Sequence, residues 1–338
     1  MPPAPVLTPA PSAPSLAPPV RQVDYLRLSI TDRCNERCLY CLPENFSAWT
    51  PREDVLSFEE FLHVVRVAVS LGFRHFRVTG GEPLLRSGVV EFIRDLIRLP
   101  GVDSVQVTTN GTQLERLARP LQQAGLERLN VSLDALDPEL YHHITHGDIK
   151  PVLQGLELLA QLKFPSVKLN TVLMRGKNEN QIRPLLQYAA DHSWPIRFIE
   201  LMPVSLTEML DESNFLPVTE VKAMISAWDE LIPLPEKRGH GPAQYFRLKN
   251  LGAVAGFIGA LTDLHFCEQC NKVRLTADGK IRPCLGQHGE YDLKPSLRPE
   301  LNVAGTRDIL LQALREKPPE HSFRNSYQPQ RIMTAIGG

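Results

Sequence analysis

Net charge is almost absent from this chain of 338 residues: 37 lysines and arginines stand against 38 aspartates and glutamates. That excludes a whole-surface attraction to nucleic acid or acidic lipid, although not a local basic pocket. Long apolar runs are missing too. The longest, residues 251–261 (LGAVAGFIGAL), falls far short of the ~20 residues a membrane-spanning helix needs. Cysteines number only six, too few for the disulfide scaffold of a small secreted domain. Residues 1–20 do not read as an export signal. They lack a basic start, and eight prolines interrupt any apolar stretch. Residues 1–21 are expected to be a disordered Pro/Ala-rich tail, since such a segment buries too little surface to offset the ordering of its backbone. What is present is a globular composition, 43% hydrophobic and 22% charged, in a length suited to roughly two domains.

From residue 22 onward, strand and helix patterns alternate. Strands are expected at 25–30, 75–79, 104–108, 128–133, 167–173 and 196–201. Helical spacing covers 58–71, 89–99, 113–124, 151–162, 181–192 and 219–231. Ser57 with Glu60 forms a capping-box pattern, and Gly72, Gly101 and Gly125 sit where helices should stop. Strands separated by helices predict a parallel α/β sheet. The order leaves an open doubly wound sheet and a barrel both standing. In either, function collects on the loops after the strands. Cys34, Cys38 and Cys41 follow the first strand there, Gly80, Gly81 and Glu82 the second, residues 108–110 the third and 132–134 the fourth. Beyond about residue 218 the pattern turns irregular. Residues 231–242 (LIPLPEKRGHGP) read as a connector, and the chain ends in an exposed-looking I-G-G.

The cysteines form two tight trios, Cys34, Cys38, Cys41 and Cys267, Cys270, Cys284, which suggests two metal sites. Structural zinc wants four protein ligands, and the first trio has no evident fourth. Three cysteines on a [4Fe-4S] cubane leave one iron open, whereas an electron carrier uses four. For the second trio, structural zinc with His265 or His288 remains an alternative. Three disulfides in an exported protein are the remaining one.

The run C-N-E-R-C-L-Y-C resembles the C-x3-C-x-φ-C signature of the radical SAM superfamily, with Tyr40 as the aromatic. T-G-G-E-P at residues 79–83 resembles the loop that receives the amino group of S-adenosylmethionine (SAM) there, its glycines letting backbone carbonyls come close to the ligand. The resemblance implies that SAM chelates the open iron and is cleaved by one electron. The products are methionine and a 5′-deoxyadenosyl radical, which takes a hydrogen atom from the substrate.

Further stretches narrow the resemblance. Y-L-R-L-S-I-T-D-R-C, R-V-T-G-G-E-P-L-L-R, V-T-T-N-G, R-F-I-E-L-M-P, C-N-K-V-R-L-T-A-D-G and the terminal I-G-G are similar to those of the GTP 3′,8-cyclase family, from about residue 22 to the end. This implies a (βα)6 partial TIM-type barrel over 22–218. A C-terminal cluster- and GTP-binding region over 219–338 would close its open side. It implies a lyase with two [4Fe-4S] clusters, the second facing the guanine. The reaction would convert GTP to (8S)-3′,8-cyclo-7,8-dihydroguanosine 5′-triphosphate, the first step of molybdenum cofactor biosynthesis.

A triphosphate must be met by cations, preferably arginines with their bidentate fork. Arg27 lies among strand hydrophobics and is expected to face a barrel lumen, because the outer face of a parallel barrel is covered. By the resemblance, Arg27, Arg77, Thr108, Lys168, Arg197, Lys272, Val273 and Arg274 touch GTP. Tyr40, Gly81, Ser132 and Met202 touch SAM, and Gly337 and Gly338 reach into the active site and serve the cyclisation. Two departures stand out. Glu36 replaces a frequent aromatic, with little effect expected. Lys272 replaces an arginine, keeping the charge but not the planar fork. The resemblance also implies a homodimer, a flavodoxin- or ferredoxin-type reductant and a downstream cyclic pyranopterin monophosphate synthase. It implies a cytoplasmic setting, with neither nucleic acid nor membrane as partner.

Overall fold

The computed structural model describes residues 22–207, 209, 211, 213–235, 241–268, 270–325 and 327–337. The N-terminal tail 1–21 and Gly338 lie outside the described residues. Strands β1 (Tyr25–Ser29), β2 (His75–Thr79), β3 (Ser104–Thr109), β4 (Arg128–Ser132), β5 (Ser166–Leu173) and β6 (Ile196–Glu200) are parallel neighbours in chain order. Between them run helices α1 (Phe58–Ser70), α2 (Val89–Ile97), α3 (Leu114–Gln123), α4 (Pro138–Thr145), α5 (Ile149–Gln161) and α6 (Ile182–Asp191). The six expected strands form within a residue or two of their expected ends. Helix α4 was not expected. Asp137 caps it by accepting from the Leu140 N–H at 2.8 Å, and Pro138 presets its first turn.

The C-terminal part contains α7 (Val218–Ser226), β7 (Leu231–Leu234), β8 (Gln244–Leu248), β9 (Val254–Ile258), β10 (Lys272–Leu275), β11 (Lys280–Arg282) and β12 (Tyr291–Asp292). Helices α8 (Lys294–Leu297), α9 (Val303–Arg315) and α10 (Met333–Ile336) follow. The sheet order is β12-β11-β10-β1-β2-β3-β4-β5-β6-β9-β8-β7. Thus β9 adds in parallel beside β6 and β10 in parallel beside β1. Eight parallel strands result, flanked by antiparallel edges. No pairing among the described residues joins β12 to β7, so the barrel is partial. The chain between β9 and β10, which carries Cys267 and Cys270, must cross from one side of the opening to the other.

Two local expectations are corrected. Of the expected connector 231–242, residues 231–234 are instead edge strand β7, paired with β8, and residues 236–240 lie outside the described residues; Pro233 is tolerated in β7 because an edge strand can spare one ladder donor. The terminal segment is not exposed: Ile332 and Ile336 are buried at 5% and 3% exposure.

Inside the six-stranded core, facing alternates strictly. Leu26, Leu28, Phe76, Val78, Val105, Val107, Leu129, Val131, Val167, Leu169, Ile196 and Phe198 belong to the hydrophobic core with the helices. The residues between them, Arg27, Arg77, Gln106, Thr108, Asn130, Ser132, Lys168, Asn170 and Arg197, line the lumen. A parallel barrel normally fills its interior with branched apolar side chains. This one keeps a polar interior, which makes sense only if a polar ligand occupies it.

Packing outside the barrel secures the extension. Glu60 completes the capping box with Ser57 and also pairs with Arg298 at 2.6 Å. His63 meets Thr306 of α9 at 3.2 Å. At the far side, buried Glu200 accepts from the Val218, Leu261 and Thr262 N–H groups at 3.0, 2.9 and 3.2 Å. That fixes the start of the crossing segment to β6. Among the described residues, no helix is long and apolar enough to cross a membrane.

Candidate active site

The first cysteine trio is built by two interlocked loops. The Gly81 N–H donates to the Thr31 carbonyl at 2.7 Å and the Glu82 N–H to that of Arg33 at 2.9 Å. A Cβ on Gly80 would lie 2.3 Å from the Thr31 oxygen, and one on Gly81 2.3 Å from the Arg33 oxygen. The glycines are therefore demanded by the cysteine loop itself, and not only by a ligand. Glu82 is buried and pinned by the Leu84 N–H, the Thr109 hydroxyl and the Asn110 N–H at 2.9, 2.8 and 2.7 Å. The T-G-G-E-P loop is thereby tied to the end of β3.

Acidic groups ring this trio. Burial pushes the carboxyls of Glu36 and Glu82 up to about 7 and that of Asp134 up to about 6. Burial also pushes the Cys34 thiol up to about 12 and raises those of Cys38 and Cys41. Tyr40 donates to Asp134 Oδ2 at 2.6 Å, and Asp134 Oδ1 accepts from the Val172 N–H at 2.8 Å. Glu36, expected to matter little, is buried, accepts from the Tyr141 hydroxyl at 2.7 Å, and packs so closely on Gly147 that a Cβ there would sit 2.5 Å away.

The second trio lines a cavity of about 260 Å³ together with residues of the eight parallel strands. Arg274, Arg27 and Arg77 stand side by side on β10, β1 and β2. Arg77 Nε donates to the Tyr25 hydroxyl at 2.7 Å and Nη2 to Gln106 at 2.9 Å. Arg197 Nη2 donates to Asn130 at 2.6 Å, and the absence of a side chain on Gly256 leaves it room, since a Cβ there would lie 3.0 Å from Arg197 Cγ. Burial and neighbouring arginines lower the Arg27 guanidinium, and burial lowers those of Arg197 and Arg274 to about 10. Four cations crowded in a buried space ask for an anion.

Of the sequence candidates, Arg27, Tyr40, Arg77, Thr108, Ser132, Arg197, Met202, Lys272, Arg274 and Gly337 line this cavity, together with Cys267, Cys270 and Cys284. Gly81 borders the smaller adjoining space that the first trio lines. Lys168 sits lower, at the strands' N-terminal mouth, 3.5 Å from the Tyr245 hydroxyl. Val273 differs from its neighbours: adjacent strand residues face opposite sides, and its side chain is in the core at 1% exposure, which leaves only its backbone to meet a ligand.

The tail closes the cavity between the trios. Arg331 pairs with Asp278 at 2.7 Å and Glu290 at 3.1 Å. The Met333 N–H reaches the Ser205 hydroxyl at 3.4 Å, and that hydroxyl donates to the Cys41 carbonyl. Arg274 Nη1 donates to the Gly337 carbonyl. The buried hydroxyls of Ser29, Thr108 and Thr334 and the Asn170 Oδ1 have no hydrogen-bond partner among the described residues, as expected where a ligand is to be met.

Two family descriptions match, "Radical SAM superfamily" over residues 28–189 and "Molybdenum Cofactor Synthesis C" over 194–323. The GTP 3′,8-cyclase of Moorella thermoacetica is 42% identical over 322 residues, covering 94% of this chain and 98% of that protein. The chain belongs to the GTP 3′,8-cyclase family. The family's protein from Pelotomaculum thermopropionicum is 40% identical with the same coverage. In fold, this family member resembles Streptococcus suis SuiB bound to S-adenosylmethionine, with TM-score 0.57, 12% identity, and coverage of 90% of this chain and 77% of that one. It also resembles a His-tagged anSMEcpe with bound AdoMet, with TM-score 0.56, 17% identity, and coverage of 88% and 82%.

The cyclase-family site fits clusters better than single ions. Among the described residues no three His, Cys, Asp or Glu side chains converge as ligands of one metal ion, and no disulfide joins any of the six cysteines. Of the histidines weighed as a fourth zinc ligand, His265 pairs through Nδ1 with Glu268 at 2.6 Å, and His288 stacks on Tyr327 at 4.7 Å. Sequence reasoning missed Asn130 and Asn170, and placed Asp134 only on the loop after β4. Asn130 and Asn170 each stand two residues from a chosen one (Ser132 and Lys168), so the strand period would have found them.

Proposed function

We propose that this chain is a radical SAM GTP 3′,8-cyclase that converts GTP to (8S)-3′,8-cyclo-7,8-dihydroguanosine 5′-triphosphate. The observation carrying this reading is the polar lumen, whose cations lie between two all-cysteine trios. Cys34, Cys38 and Cys41 would hold one [4Fe-4S] cluster and Cys267, Cys270 and Cys284 a second. When bound, the first cluster and SAM supply an electron and a carbon radical able to remove the ribose 3′ hydrogen.

The protein's part is placement. Tyr40, Gly81, Ser132 and Met202 would hold SAM on the side of the first trio. Arg27, Arg77 and Arg197, with Lys168 below, would hold the triphosphate, and Thr108 would meet it with its buried hydroxyl. Lys272 and Arg274 would hold the guanine end beside the second trio. Two anchors fix the ribose between them; one alone would leave it free to rotate. Gly337 lines the cavity, and Gly337 and Gly338 would serve the cyclisation. The barrel would be the unit 22–218 and the extension the unit 219–338. A homodimer, a flavodoxin- or ferredoxin-type reductant, a downstream cyclic pyranopterin monophosphate synthase and a cytoplasmic setting belong to the same reading, since oxygen-labile centres need a reducing compartment.

The test is anaerobic reconstitution followed by reaction with SAM, dithionite and GTP. The cyclised triphosphate and 5′-deoxyadenosine should appear together. About eight irons per chain should be found; about four with zinc would sink the reading.

A further inference from the structure

Lys317 lies just past the end of α9, in a stretch that the reading above leaves without a role. Its ammonium donates to the Lys272 carbonyl at 2.8 Å and to the Pro283 carbonyl at 2.6 Å, and it stands 3.8 Å from Cys270 Sγ. Those two carbonyls are not arbitrary. Lys272 opens β10 and Pro283 follows β11, and the two strands pair antiparallel with Arg274 opposite Arg282. The two carbonyls therefore mark the open end of one hairpin. Cys270 stands two residues before the first, and Cys284 is next to the second. A single cation thus spans the gap between two cysteine-bearing chain ends that no ladder bond ties at that point.

Helix α9 holds the cation in place. The Lys317 N–H caps the helix end on the Leu314 carbonyl at 3.3 Å, and α9 packs on α1 of the barrel. The clip is therefore referenced to the rigid part of the fold.

We propose that Lys317 is a positioning residue for the second cysteine site. Its ammonium sets the spacing of Cys270 and Cys284, and its charge favours the reduced, more negative state of the centre they hold. This rests on the two-cluster reading above. Partners that orient metal ligands typically contribute ten- to a hundredfold in metal retention, and positive charge or hydrogen bonds at the sulfurs raise a cluster's potential.

The full chain, reconstituted anaerobically with iron and sulfide, is compared as wild type, Lys317→Met and Lys317→Arg. Iron per chain, the rate of iron loss to a chelator and the paramagnetic resonance of the reduced protein are read, adding SAM to perturb the first cluster and GTP the second. In Lys317→Met the GTP-responsive centre should lose iron about ten- to a hundredfold faster. Its potential should move to more negative values, with the SAM-responsive signal unchanged. Lys317→Arg should restore most of both. The proposal is overturned if Lys317→Met keeps wild-type loss rates and potential, or if both centres weaken alike. Should Lys317→Met fail to fold, Lys317→Gln, which keeps amide N–H donors but not the charge, supplies the comparison. Wild type with only about four irons would overturn the two-cluster reading itself, before any variant is compared.

Discussion

Gly337→Ala probes whether the tail is a built part of the active site. Gly337 has φ +79°, a left-handed conformation that an alanine adopts only at a cost of about 1–2 kcal/mol. Space adds to this. An added Cβ would lie 3.0 Å from both Ser29 Cβ and Thr79 Cγ2, well inside the 3.5–4.0 Å optimum for carbon contacts. Ser29 and Thr79 end the paired strands β1 and β2, so neither can retreat without disturbing the sheet. The tail can instead leave, giving up the Arg274 bond to its carbonyl. The conformational cost alone predicts a roughly five- to thirtyfold rise in the open fraction. Hydrogen exchange of the amides of residues 332–337, read by mass spectrometry on the full chain, measures that fraction. Gly72→Ala is the control: it carries φ +99° but meets nothing within 4 Å, so it should leave tail protection alone. If the tail amides of Gly337→Ala exchange as slowly as in wild type, the docked tail is not held by this contact and the reasoning fails.

Three more predictions follow from the site. Arg77→Ala should weaken GTP binding roughly ten- to a hundredfold by removing charge-assisted hydrogen bonds, while preference for GTP over ATP survives. Full GTP affinity with lost preference, measured by equilibrium binding, would contradict the two-anchor arrangement. Cys34→Ser, Cys38→Ser or Cys41→Ser should abolish 5′-deoxyadenosine formation with dithionite, whereas Cys284→Ser should harm GTP binding more than SAM cleavage; equal loss of both would make the second centre merely structural. Burial pushes the Glu82 carboxyl from 4.5 to about 7, so the folded chain keeps a proton that the unfolded chain has released, and stability falls as pH rises across that window. Denaturant unfolding should show Glu82→Gln gaining on wild type from pH 4.5 to 7 and levelling above; a pH-independent difference would mean the carboxyl is ionised throughout.

Much of the fold was legible because its signals are local. Capping at Ser57, glycine stops and strand–helix alternation placed the barrel elements, and cysteine spacing placed both trios. The failures have a common cause. Strand β7 carries Pro233 and only the presence of β8 makes it a strand. Burial of the tail depends on Arg274 and on the glycine-sized gap over Ser29 and Thr79. Lys317 could not be read at all, because its partners are backbone carbonyls brought together by the β10–β11 hairpin. Asn130 and Asn170 are different. They alternate with apolar neighbours as Arg27 does, so the rule that turns Arg27 to the lumen turns them there too, with no tertiary information needed.

The polar half of that alternation explains how a chain with a net charge of −1 can serve a highly charged substrate. Its charges are not balanced everywhere but sorted between two adjoining spaces. Glu36, Glu82 and Asp134 surround the first trio, and burial raises all three carboxyls. Arg27, Arg77, Arg197, Lys272 and Arg274 line the larger space, and Lys317 backs the second trio. SAM carries a sulfonium, an ammonium and a carboxylate, a net positive charge, and GTP carries only negative charge on its phosphates. Two unit charges 4 Å apart interact by about 4 kcal/mol at an effective dielectric of 20. A bound cation would thus draw the neighbouring carboxyls down into their ionised form, and a bound triphosphate would hold the guanidiniums charged. Each ligand strengthens the half of the site that suits it and is repelled from the other. On the proposed reading the same gradient would also order the two ligands, with the sulfonium toward the first trio and the phosphates away from it.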